Sequence, residues 1–188
     1  MTTTYQPFPI DGHTARWSTW GGEHTEDLTI GWENEGWTVS GVVGRERIQY
    51  VVRLNASFQV RQLLLFRDLD EPDLWLATDG SARWGEVNGA HRVDLDGCTD
   101  VWLACTPFTA SIPIRRLPLH VGDSADLRVL VIDVETLAVS PTRHRYTRLD
   151  TQRWSFTDLD AADAAAVEFD VDEHGLALDQ PGRFRRLE

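Results

Sequence analysis

The chain has 188 residues, 41% of them hydrophobic and 26% charged, with a formal net charge of −12 and a pI near 4.8. That composition excludes a disordered or fibrous chain, and the length suits a single domain over residues 1–188, its first 10–15 residues or so irregular. All 18 basic residues are arginine, so Schiff-base and phosphate-loop lysine chemistry are absent, and an acidic surface disfavours nucleic acid as a partner.

The opening segment "MTTTYQPFPIDGHTARW" lacks a basic stretch followed by an apolar run, and no run of about 18 apolar residues occurs later. A cytoplasmic location without stable membrane insertion is expected. From about residue 25 the chain alternates short apolar runs with glycine-containing turns. "LTIGW" and "WTVSGVV" flank "ENEG", while "RIQYVVRL" and "FQVRQLLLF" flank "NAS", the pattern of successive hairpins. The Asp-Gly and Asn-Gly pairs in "TDGS", "VNGA" and "LDGC" continue the punctuation, because glycine tolerates the positive φ of tight turns.

These intervals predict an all-β protein, a spirally rolled antiparallel sheet or incomplete β-barrel of about 12–15 short strands with little helix. One helical turn is allowed in the alanine-rich "DLDAADAAAVEF" (residues 158–169). A wide roll leaves an interior that a ligand can occupy. The eight tryptophans, among them Trp102, are numerous enough to line such a cavity or simply to fill the core.

The unusual stretch is "TPFTASIPIRRLPL" (residues 106–119), which sets Pro107, Pro113 and Pro118 around Arg115 and Arg116. Taken as a strand, it places Ile112, Ile114 and Arg116 on one face and Pro113, Arg115, Leu117 and Leu119 on the other, so either both faces are buried or a bulge resets the register at the arginines. The prolines then mark an edge or a broken ladder. One guanidinium must point toward apolar surroundings, where it needs an anionic or strongly polar partner. Either Asp100, on the preceding strand, neutralises it as a structural pin, or a ligand head group does.

At this segment the chain resembles a family, the small bacterial "putative glycolipid-binding" proteins, earlier catalogued as a domain of unknown function. The resemblance is strongest in "LDGCTDVWLACTPFTASIPIRRLPLHVGD" and is supported by "WENEGWTVSGVVG", "LATDGSARW", "RYTRLD" and "FDVDEHGLALDQPGRFRRL". It implies a rolled β-sheet around a cavity, similar to bacterial lipid and lipoprotein carriers, with a site at Asp100, Thr106, Phe108, Thr109, Arg115 and Arg116. Trp102, His144 and Tyr146 complete the expected ligand-binding set.

No nucleophile elbow, phosphate loop, dinucleotide fingerprint or zinc-protease helix occurs, and the six histidines are scattered, so neither cofactor nor metal is expected. Cys98 and Cys105 are expected as reduced, packed thiols. The favoured function is non-catalytic binding of a lipid or glycolipid-like amphiphile, with the arginine pair near its polar head. The alternatives are a small hydrolase or isomerase built on Asp100, Arg115, His144 and Tyr146, and a β-edge module that recruits another chain.

Overall fold

A computed structural model describes residues 5–44, 47–67 and 70–187. Residues 1–4 of the N-terminal segment and 68–69 of the acidic segment "DLDEPD" lie outside the described residues. The protein is mostly β, as expected, with 13 strands among the described residues.

Seven strands run in chain order as a meander: β1 (His13–Thr19), β2 (Thr25–Glu33), β3 (Gly36–Val43), β4 (Ile48–Asn55), β5 (Val60–Phe66), β6 (Leu74–Thr78) and β7 (Trp84–Glu86). The last strand, β13 (Phe184–Arg186), pairs with β1 and completes an eight-stranded curled sheet. The predicted hairpins fall where the turn chemistry places them. Asn34 and Glu35, between β2 and β3, both have positive φ (50° and 61°), the geometry a two-residue hairpin loop requires. Alternation fixes the inner face, where Ile48, Tyr50, Val52 and Leu54 of β4 are buried in turn.

The second sheet holds β8 (Asp100–Leu103), β9 (Ser124–Ile132), β10 (Val139–Arg148), β11 (Arg153–Asp158) and β12 (Val167–Asp170). Four of its strands are antiparallel neighbours, but β8 runs parallel to β9. Parallel neighbours need a crossover of a dozen or more residues, usually helical. Residues 104–123 supply it.

That crossover corrects the strand expected over "TPFTASIPIRRLPL": residues Phe108–Arg116 form helix α1. Its start and stop signals outweigh the two-residue alternation of Ile112 and Ile114. The Thr106 hydroxyl accepts the Phe108 amide at 3.0 Å, and Pro107 stands at the helix entrance, where a missing N–H costs nothing. At the other end Leu117 is extended (ψ 128°), as the residue before Pro118 must be. Pro113 lies inside the helix and removes one amide donor there. Pro107 and Pro118 thus bracket a helix rather than break a ladder.

The alanine-rich segment is also corrected, since residues 159–166 form a turn and loop between β11 and β12. A short alanine run cannot nucleate a helix by propensity alone. Here Asp158 accepts the Asp160 amide at 3.0 Å and Asp160 holds the Arg143 guanidinium, which fixes a turn instead.

Helix α1 is buried on every side from Phe108 to Ile114. Phe108 and Ile112 join the larger core, which combines the inner face of the eight-stranded sheet with Val101, Leu103, Leu130 and Ile132 of β8 and β9, whereas Ala110 and Ile114 join the smaller core on the five-stranded sheet. At 3.6 residues per turn these two pairs lie about 200° apart, on opposite helix faces. The helix is therefore a wedge between two cores. Ile112→Ala and Ile114→Ala should each lower the unfolding free energy by about 2–5 kcal/mol in denaturant titrations; a cost below about 0.5 kcal/mol at either position, the range of surface changes, would mean that its face is not packed.

Candidate functional site

The termination of α1 at Leu117 leaves Arg115 and Arg116 on its last turn, at the mouth between the two sheets. Both line a cleft of about 590 Å³ together with Arg148, Tyr5, Trp37, Phe58, Ile114, Leu117 and Pro118. The three guanidiniums are held differently. Arg116 forms an ion pair through Nη2 with Asp100, which is 1% exposed and also accepts the Thr99 hydroxyl at 2.7 Å. Burial pushes the Asp100 carboxyl up, and the Arg116 charge opposes that push.

Arg115 has no carboxylate in hydrogen-bond reach among the described residues. Its Nη1 donates to the backbone carbonyls of His174 and Gln6, and its guanidinium lies over the rings of Phe8 and Phe58 at 4.3 and 4.4 Å. Burial brings its pKa down to about 10, against the opposing effect of Asp172. A side chain at Gly175 would crowd both Arg115 and Tyr5, and the positive φ there (79°) independently favours glycine. Arg148, at the end of β10, is likewise held by carbonyls, those of Leu119 at 3.0 Å and Thr151 at 2.8 Å. Trp154 Nε1 donates to Tyr5 Oη at 2.7 Å, which leaves the tyrosine hydroxyl hydrogen available to the cleft.

The other expected residues do not gather in this cleft. Trp102 on β8 and His144 on β10 pack edge to face at 5.1 Å, with Phe156 at 4.6 Å from the Trp102 ring. Burial lowers the His144 pKa to about 4, so the imidazole is neutral at physiological pH, and its Nδ1 has no partner among the described residues. Tyr146 is buried in the same cluster, and burial raises its phenol well above the ordinary value. No hydrogen bond joins His144 to Asp100 or Tyr146 among the described residues. Phe108 is core, and the Thr109 hydroxyl accepts the Leu103 amide at 3.4 Å, a bond that ties α1 to β8.

Thr106 belongs to a cluster that the sequence reading missed. Its hydroxyl lies 3.0 Å from Tyr50 Oη, and Tyr50 in turn donates to Glu26 Oε1. Tyr50 on β4 reaches Glu26 on β2 across β3 because Gly41, its register partner, has no side chain where the ring crosses. Glu26 is 3% exposed on the inner face of the eight-stranded sheet, its Oε2 without a partner among the described residues. The only trace in the sequence is phase: Glu26 occupies the same inward alternation as Leu28 and Ile30. Among the described residues, no group of three or more His, Cys, Asp or Glu side chains is placed to hold a metal ion.

Compared with known proteins, the sequence matches the family described as "Putative glycolipid-binding" over residues 14–186. The fold is similar to the crystal structure of a DUF1089 family protein from Pseudomonas aeruginosa, with a TM-score of 0.71 and 26% identity over 98% of each chain. No curated protein matches.

Glu26 generates a pH prediction. Burial raises its pKa from 4.5 to about 7, with the bonds from Tyr50 and Thr106 opposing the shift. The folded state therefore binds the proton more tightly than the unfolded chain, and this contribution to stability is complete below about 4.5 and lost as pH rises through 7. A shift of this size is worth on the order of 3 kcal/mol. Denaturant titrations of the wild type and Glu26→Gln should diverge between pH 4.5 and 7.5, with the wild type losing stability relative to the variant. Parallel curves would mean that Glu26 does not hold its proton.

Proposed function

This chain belongs to the family described as "Putative glycolipid-binding", and we propose that it binds an amphiphilic ligand, lipid or glycolipid-like, without catalysis, in the cleft at the C-terminal end of α1. One observation carries the reading: a single cleft combines the arginine pair and Arg148 with an apolar wall of Trp37, Phe58, Ile114, Leu117 and Pro118. That division suits a polar head at one end and a hydrocarbon tail along the other. The volume of about 590 Å³ lies within the usual range for small-ligand sites.

The inner face of the curled sheet supports placing the ligand here. Phe108 and Ile112 of α1 pack onto that face, so the helix takes up room that a ligand would need in an empty roll. The hydrolase reading has less support, because Arg115 and His144 fall in separate clusters and, among the described residues, no hydrogen bond joins His144 to Asp100 or Tyr146.

Protein purified from its host without detergent should carry a co-purifying amphiphile in native mass spectrometry, and Arg115→Ala or Arg116→Ala should lower its occupancy. Protein that is empty under the same conditions, with neither substitution altering the uptake of added amphiphiles, would refute the reading.

A further inference from the structure

Charge separates this cleft from the rest of the molecule. The chain carries −12 overall, yet three guanidiniums line one cleft. Asp100 balances Arg116. Asp172 lies within electrostatic reach of Arg115, but its ion pair is with Arg186 at 3.4 Å and it accepts the amides of His174 and Leu176 at 2.9 Å each. Arg115 and Arg148 are thus held by neutral carbonyls and aromatic faces, and neither has a carboxylate at ion-pair distance among the described residues. The carboxyl end of α1 offsets their charges by a partial charge of only about half a unit.

The donors have capacity to spare. Nη2 of Arg115 and Nη1 of Arg116 have no partner among the described residues, whereas the Nε atoms of both arginines, also without a partner there, are enclosed and do not face the cleft. A neutral sugar would accept hydrogen bonds here but leave both charges in a partly desolvated cleft. A carboxylate offers two oxygens to three guanidiniums and a tyrosine hydroxyl. A phosphoryl group offers three or more, and matches the guanidinium fork in geometry and charge.

We infer that the head group bound between Arg115, Arg116, Arg148 and Tyr5 is a phosphoryl group rather than an uncharged sugar. The inference rests on the amphiphile reading for the tail alone, since the head is argued from charge and donor count. It also accommodates the acidic surface, because repulsion from the remainder of the chain disfavours extended polyanions while one phosphoryl group is sheltered in the cleft.

Isothermal titration with ligands of one tail length, below their micellar concentrations, tests it on the full chain. Dodecyl phosphate should bind at least about tenfold more tightly than dodecyl maltoside, weaken with added salt, and lose most of that preference in Arg115→Gln. Because the comparison is made on the wild type, it survives a variant that fails to fold. Equal or tighter binding of the maltoside would overturn the inference and leave the amphiphile reading standing. Inorganic phosphate binding as tightly as dodecyl phosphate would uphold the phosphoryl site and overturn the amphiphile reading. No binding of any of the three would overturn both.

Discussion

The architecture depends on a nine-residue helix that has no solvent face until its last turn. With Phe108 and Ile112 in one core cluster and Ala110 and Ile114 in the other, α1 is shared by two cores. A helix so placed must satisfy its own ends internally. At the N-terminus, Thr106 accepts the Phe108 amide and connects through Tyr50 to Glu26, three strands of the large sheet being bridged in the process. At the other end, Arg116 is tied to Asp100 on β8, and Arg115 to carbonyls of the N-terminal and C-terminal segments. The cleft is a consequence: where the wedge ends, its two arginines emerge beside the apolar residues that line the mouth.

The two ends of α1 handle buried charge in opposite ways. Among the described residues no cation acts on Glu26, so burial is relieved by keeping its proton, at a cost to stability as pH rises. Arginine cannot take that route at physiological pH, and the protein surrounds Arg115 with the rings of Phe8 and Phe58 and with backbone oxygens. Carbonyl dipoles hold a guanidinium in place without cancelling its charge. Fixed geometry with residual charge is what an anion-binding site needs, and it distinguishes this end of the helix from the surface arginines, such as Arg143 and Arg145, that are already matched to Asp160 and Asp126.

The β-framework was legible because local rules govern it. Alternation in "RIQYVVRL" and the turn at Asn34 and Glu35 each specify a hairpin without reference to the rest of the chain. Helix α1 was not read, although Thr106-Pro107 and Leu117-Pro118 are start and stop signals, because Ile112 and Ile114 also satisfy a strand alternation and burial on both sides removes the amphipathic stripe that usually announces a helix. Asp100 was legible as a partner of the arginine pair, being the nearest carboxylate on the preceding strand. The carbonyls that hold Arg115 belong to Gln6 and His174, more than fifty residues away on either side, and no local pattern encodes them. Glu26 carries a charge at the start of a strand, where sequence alone reads a solvated rim; only the reach of Tyr50 over Gly41 makes it interior.

The central claim is that the end of the α1 wedge is the ligand's head site. Its most direct test is nuclear magnetic resonance of the protein titrated with a dodecyl amphiphile, following the Arg115, Arg116 and Arg148 Nε–H signals and the backbone amides. The account predicts that shifts concentrate on those guanidiniums and on Ser57, Phe58 and Leu117, which border the cleft. Shifts confined to Val43, Cys105 and Phe184, which line a separate cleft beside Arg183, with the three Nε–H signals unmoved, would contradict it.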